Sequence, residues 1–224
     1  MRQRSNRFLT ALTVSAVAVL VVAGSAMAAR IVGDSSSNVL NGTPRHDTIL
    51  GRAGDDVIRA HAGPDVARGG DGADEIHGGR GWDFLRGGLG TDTIYGGPGH
   101  DFISGGKDDD TLSGGPGGDL IFANRGRDHE DGGDGRDRLW ALSRFDVEFI
   151  GDPNGDELSG GDGNDRFRVR DGEVDLVHCG EGIDHVKADQ FDMIDNDCEH
   201  VDRRDVTSLD QVDDGDENRV EPGN

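Results

Sequence analysis

From Leu40 onward, a large apolar residue returns at nine-residue intervals: Leu40, Ile49, Ile58, Ile76, Leu85, Ile94, Ile103, Leu112, Ile121 and Leu139. In the unit 60–68 the corresponding place offers only Ala67. Two places ahead stands an acid or amide, giving Asn38, Asp47, Asp56, Asp65, Asp74, Asp83, Asp92, Asp101, Asp110, Asp119, Asp128, Asp137 and Asp146. Glycines fill the first, second and fourth places, so the unit is GGxGxDxUx with U apolar, seen cleanly at 69–77, 78–86, 87–95 and 96–104. Glycine permits positive φ and tight turning there, and D-x-U-x has room for a strand of about three or four residues. Because strand side chains alternate between faces, Ile76 can point inward while Glu75 and His77 meet water.

Two units make one coil of eighteen residues, and stacked coils place parallel strands on two faces with turns along two edges. The expected fold is all-β, a parallel β-roll, that is, a β-helix or solenoid. Asp47, Asp65, Asp83, Asp101, Asp119 and Asp137 then follow one edge, and Asp56, Asp74, Asp92, Asp110 and Asp128 the other. One inward side chain per unit is a thin core against the entropy of ordering a whole unit. Carboxylates recurring at the strand spacing of about 4.8 Å also repel by roughly 1 kcal/mol even in water. A hard cation answers both problems, since carboxylates and turn carbonyls supply the six or more oxygens that suit calcium better than magnesium. Binding is then coupled to folding, and the metal-free chain is expected to be largely unfolded. The competing reading, a Gly/Asp-rich disordered linker, does not account for a register held through so many units.

The nonapeptide resembles the calcium-binding repeat of RTX proteins, and the run 171–201 is similar to the C-terminal end of secreted actinobacterial hemolysin-type calcium-binding repeat proteins. That resemblance spans roughly 33–201 and implies several calcium ions, each held between turns two units apart. The implied ligands are Asp74, Asp83, Asp92, Asp101, Asp110, Asp119, Asp137 and Asp165, with Asp56, Asp65, Asp128 and Asp156 in less complete units. Carbonyls of turn glycines join them: Gly78, Gly79 and Gly81, then Gly87, Gly88 and Gly90, then Gly96, Gly97 and Gly99. RTX toxins and proteases usually leave the cell on an uncleaved C-terminal signal, whereas this chain carries an N-terminal one, which argues against transferring their secretion route or toxicity.

Residues 1–28 differ in kind: Arg2, Arg4 and Arg7 precede an apolar run from Phe8 to about Ala23, then Ala26-Met27-Ala28. This reads as a secretory signal peptide. The alternative is a retained anchor, for which the run is slightly short. Cleavage leaves a secreted, extracellular chain more negative than the full-length −22, with no stable membrane insertion. Such acidity argues against nucleic acid and for calcium ions or basic surfaces as partners; no protein or cell-surface partner is identified.

The register runs from Gly33 to about Trp140, making 29–140 the main roll. Glu130 and Glu148 fall where U is expected, and 141–150 reads as an irregular break. A second repeat block covers 151–201, and 202–224 reads as an acidic disordered tail. The two cysteines, Cys179 and Cys198, lie near the end of the second block. In an oxidising compartment a disulfide fastening the last coil is the leading reading. A zinc site with His178 and His200 is the alternative, although its spacing fits no common finger.

Almost every residue belongs to a repeat. There is no HExxH and no GxSxG, and Gly33-Asp34-Ser35 has no α/β domain behind it. Paired carboxylates abound, but glycosidase chemistry needs a shaped pocket and a raised pKa. The expectation is a non-enzymatic, calcium-folded structural or interaction module. The alternatives are a secreted hydrolase or cytolysin-like protein that the repeats support, and an acidic calcium buffer that stays disordered when loaded.

Overall fold

The computed structural model describes residues 28–141 and 155–205, and among them the chain is a parallel β-solenoid without helices. Two ten-stranded sheets face each other. The first begins at Arg30–Val32 and Thr48–Ala53 and ends at His185–Ala188 and His200–Arg203. The second begins at Val39–Asn41 and Val57–Arg59 and ends at Leu176–His178 and Met193–Ile194. Apart from the two-residue Glu181–Gly182, which follows Leu176–His178 on the same sheet, consecutive strands alternate between the sheets, so each pairs with the strand one coil away, as two units per coil require.

The U residues stack in register. Leu85, Ile103, Ile121 and Leu139 follow one another on the first sheet, and Ile58, Ile76, Ile94 and Leu112 on the second. All are fully buried, as is Ala67. The apolar interior falls into two stretches, one from Leu40 to Ile121 and one from Leu139 to Ala188. Glu130 lies between them. It points inward like any U residue, fully buried and paired with Leu112 and Leu158.

Two details depart from the sequence reading. From Val39 to Ser113 the strands of the second sheet, such as Thr93–Tyr95, have the expected three residues, but those of the first between Thr48 and Arg125, such as Phe84–Leu89 and Phe102–Lys107, have six. The extra length comes from the next unit's first three residues, which continue the pairing: Gly70, Gly88 and Gly106 are in register, as are Asp71, Leu89 and Lys107. Positive φ is likewise found at second and fourth places (Gly79, Gly81, Gly88, Gly90, Gly97) and not at first-place Gly78, Gly87 or Gly96. The first-place glycine is required for space. A Cβ on Gly78 would stand 2.7 Å from Asp83 Oδ2 and 2.7 Å from the Gly96 carbonyl oxygen.

The coil continues across the insertion: His129–Gly135 pairs with Glu157–Gly163, and Arg138–Trp140 with Arg166–Val169. Residues 142–154, which hold most of the expected break and Asp146, lie outside the described residues, as do 1–27 and 206–224. The last strand runs through Asp202 to Arg203, so ordered structure reaches slightly beyond the repeat boundary drawn at 201. Cys179 and Cys198 form a disulfide, which uses both sulfurs and leaves no thiolate for zinc.

Candidate metal centre

Each sixth-place Asp lies at the start of a short strand, where its backbone and side chain both face the adjoining coil. The Asp47 N–H donates to Oδ1 of Asp65, and the same contact repeats through Asp83, Asp101, Asp119, Asp137, Asp165 and Asp184 at 2.6 to 2.8 Å. A second ladder runs from Asn38 through Asp56, Asp74, Asp92, Asp110, Asp128, Asp156 and Asp175 at 2.7 to 2.8 Å. The two sets assigned to opposite edges are these two ladders. They also continue across sequence steps of 28 and 19 residues, where the nine-residue count fails.

The second carboxylate oxygen is treated differently. Oδ2 of Asp56, Asp65, Asp74, Asp83, Asp92, Asp101, Asp110, Asp119, Asp137 and Asp165 is buried and has no hydrogen-bond partner. An unpaired buried carboxylate oxygen is costly, and ten along two ladders are far beyond what folded proteins ordinarily leave unsatisfied. Electrostatics records the same cost. Burial pushes Asp110 up to about 9 and Asp92 up to about 8, with neighbouring Asp charges adding to the effect and the backbone hydrogen bond partly opposing it. By the same cause Asp65, Asp101 and Asp165 are raised to about 7, and Asp74, Asp119 and Asp137 to about 6. Asp56 and Asp83 are raised, and Asp156 well raised, chiefly by desolvation.

Turn carbonyls stand beside these oxygens. The Gly96 carbonyl oxygen and Asp83 Oδ2 reach the same spot against Gly78, and Gly114 O and Asp101 Oδ2 converge in the same way against Gly96. The Gly96 carbonyl accepts the Gly79 N–H at 2.8 Å and keeps a second lone pair. Around second-place Gly97 the carbonyl of Gly79 approaches closely, and around Gly88 that of Gly70. Fourth-place Gly90 meets the Gly72 carbonyl. Gly81, Gly99 and Gly117 form successive bridges, with Asp101 Oδ1 3.1 Å from where a Gly99 Cβ would be. Gly87 leaves room for Asp92 Oδ2 in the manner of Gly78. An all-oxygen donor set, rich in charge and with unused lone pairs, fits calcium. Bound there, the ion would supply the positive charge that lets these carboxylates remain ionised in a low-dielectric setting.

Several acids that the nonapeptide count did not single out join the ladders. Asp175 and Asp184 are fully buried, each with an unbonded Oδ2. Asp171, Glu173 and Asp175 bring one carboxylate oxygen each to within 4.8 Å of one another, and all three are buried. A signal for them was present, because Asp171 and Glu173 occupy the second and fourth places, where glycine is expected. Asp192 closes the second ladder: its Oδ1 accepts from Asp175 N–H at 3.4 Å and its Oδ2 from Asp189 N–H at 2.7 Å. Cys179, Asp197 and Cys198 also cluster, but the sulfurs are bonded to each other.

A family model described as the RTX calcium-binding nonapeptide repeat, in four copies, matches the chain at residues 32–67, 60–94, 95–130 and 150–173. No curated protein matches it.

Proposed function

From the chain's membership of the RTX calcium-binding nonapeptide repeat family, to which more than half of it belongs by match, we propose that it is an exported, non-enzymatic module that binds several calcium ions and folds as it does so. Calcium binding follows from the family. The number of ions, the export and the absence of catalysis are the proposal.

The observation that carries it is the succession of buried Oδ2 atoms without hydrogen-bond partners, at Asp65, Asp83, Asp101, Asp119, Asp137 and Asp165 on one ladder and at Asp56, Asp74, Asp92 and Asp110 on the other. One ion cannot serve atoms spread along the whole solenoid, so the reading is of many sites. Calcium outside a cell, in the millimolar range, suits sites of weak to moderate affinity, and residues 1–28 carry the pattern of an export signal. The reading as a non-catalytic module is supported by a sequence given over almost wholly to repeats.

The test is calorimetric titration of demetallated mature chain with calcium, followed in parallel by circular dichroism. Several ions per chain and a transition from disorder to β structure are expected. A fully folded spectrum in chelator, or a stoichiometry of one, would count against the proposal. Hydrolase or membrane-lysis activity that survives loss of the Asp ladders but not a point change elsewhere would replace it with the enzymatic alternative.

A further inference from the structure

From Gly54 to Gly135 the fourth place of every unit is glycine except one, where Asp108 stands. Its backbone lies in the left-handed region, with φ +72°, which glycine occupies freely and a residue with a Cβ occupies under strain. Aspartate is among the side chains that tolerate this conformation best. Strain of this kind persists where the surroundings enforce it, often at a ligand site.

The Asp108 carboxylate reaches back to the preceding coil. Its Oδ2 accepts the Gly90 N–H at 3.1 Å, which sets it against the turn that leads into Asp92. In its own turn it stands two residues ahead of Asp110. These two are successive members of the second ladder, joined by the Asp92 N–H to Asp110 Oδ1 at 2.8 Å. Both are buried, and the Oδ2 of each has no hydrogen-bond partner. Asp92 Oδ2 and the Gly105 carbonyl oxygen converge beside Gly87, and Asp110 Oδ2 and the Ala123 carbonyl oxygen beside Gly105. The Asp108 charge acts on both ladder residues.

Fastening one coil to the next does not require a strained residue. Asp55 makes a comparable bond from a fifth place without positive φ, its Oδ1 accepting the Ala73 N–H at 3.0 Å. What the fourth place adds is nearness to two ladder carboxylates at once. In the empty fold a third negative charge there only increases repulsion, whereas beside a bound cation it is attractive.

We infer that Asp108 lends an additional carboxylate to the cation site between the turns of Asp92 and Asp110, making it the tightest calcium site of the main roll and the first to fill as calcium rises. Calcium affinity is tuned by the number of charged ligands and by the rigidity of the site. At the other turns from Gly54 to Gly135 the fourth place offers backbone alone, so the repeat by itself does not supply this difference. The inference rests on the calcium-folded reading and refines it.

The test equilibrates the full mature chain at a series of free calcium concentrations set by chelator buffers. Retained ions are counted by native mass spectrometry, with circular dichroism on the same samples. Wild type should keep one ion at free calcium roughly tenfold or more below the level that releases the others. Asp108→Asn preserves a hydrogen-bond acceptor and tolerates the left-handed backbone. It should fold in saturating calcium yet hold that ion roughly tenfold more weakly. Asp108→Gly, which relieves the strain, should show the same loss. Asp109→Asn removes an equal charge one residue away, from a side chain whose Oδ1 accepts the Arg127 N–H of the following coil at 3.0 Å, and should change nothing. Release of all ions together from wild type, unchanged retention in Asp108→Asn, or equal loss from Asp109→Asn would each overturn the assignment. Failure of Asp108→Asn to fold in saturating calcium would overturn it too, leaving Asp108 a fastening between coils. A wild-type chain that retains no ion and stays disordered in calcium defeats the calcium reading instead, and the spectra separate that case.

Discussion

Replacing Glu130 by leucine is expected to stabilise the calcium-loaded protein, by a margin that grows with pH. The side chain is fully buried in register between Leu112 and Leu158, and neither carboxylate oxygen has a hydrogen-bond partner. Its pKa is raised well above the ordinary value, first by desolvation and then by the Asp128 charge, with the Ala123 backbone opposing weakly. A carboxyl whose folded pKa lies above its unfolded one retains a proton that the unfolded chain has already released. Its contribution to stability is therefore intact below about pH 4.3 and is lost, at about 1.4 kcal/mol per unit, as the pH rises toward the folded value. The buried carboxyl therefore carries a cost at pH 7 that it does not carry near pH 4. Leucine removes that cost and joins the two apolar stretches, adding about 1 to 3 kcal/mol at every pH. Glutamine removes only the pH-dependent part, because its buried amide stays unbonded.

Urea unfolding in saturating calcium at pH 5, 6 and 7 separates the three proteins. At pH 7 the expected order of stability is Glu130→Leu, then Glu130→Gln, then wild type, with the glutamine variant converging on wild type toward pH 5. If both variants are less stable than wild type at pH 7 and each binds one calcium fewer, Glu130 is a ligand and the reasoning from burial cost fails.

Removing calcium should reverse the usual effect of acid. Because the ladder Asp residues are raised in the metal-free fold, to about 8 for Asp92 and about 9 for Asp110, protons stabilise it, and that stability is lost as pH climbs from about 4 through those values. The demetallated chain should gain β structure by circular dichroism between about pH 7.5 and 4.5, and a flat response would contradict the shifts. Gly78→Ala places a methyl group 2.7 Å from Asp83 Oδ2 and from a backbone oxygen; it should cost about 1 to 3 kcal/mol by thermal unfolding and at least one bound ion, and a silent substitution would refute the need for space. Reducing Cys179–Cys198, which closes a separation of 19 residues, should cost about 3 kcal/mol with no change in bound zinc; an unshifted melting temperature would show that the last coil is fastened otherwise.

The two Asp edges, the inward series and the coil of two units were legible because each depends only on a local count. What was not legible depends on contacts between coils. Glu130 broke the apolar pattern, and nothing in its neighbourhood announced that it would still point inward; pairing on both sides, to Leu112 and Leu158, decides that. The pairing across the insertion was hidden in the same way. Arg138 and Arg166 are 28 positions apart and become neighbours only because the intervening insertion leaves the coil unbroken. Likewise, first-place glycines looked like turn residues, whereas the nearby Asp oxygen is what excludes a side chain.

Register in this solenoid is therefore kept by the Asp residue more than by the number nine. Oδ1 fixes each Asp to the backbone of the coil before it across steps of 18, 28 or 19 residues alike, while Oδ2 is left for a cation. The ends of the ladders separate these two tasks. Asn38, which cannot carry a charge and has no ladder residue before it, turns Oδ1 to the Asp34 N–H of its own turn at 2.8 Å. At Asp47, Oδ1 takes the Ala29 N–H and Oδ2 that of Thr43. At the other end Asp192 has both oxygens occupied by backbone donors, and Glu199 takes the Asp184 N–H. Unbonded oxygens begin at Asp56 and Asp65 and extend to Asp175 and Asp184, where a coil lies on either side to share an ion. A terminal coil has no such neighbour beyond it, so its acids are satisfied by the protein itself, and the solenoid can stop there without leaving a bare anion.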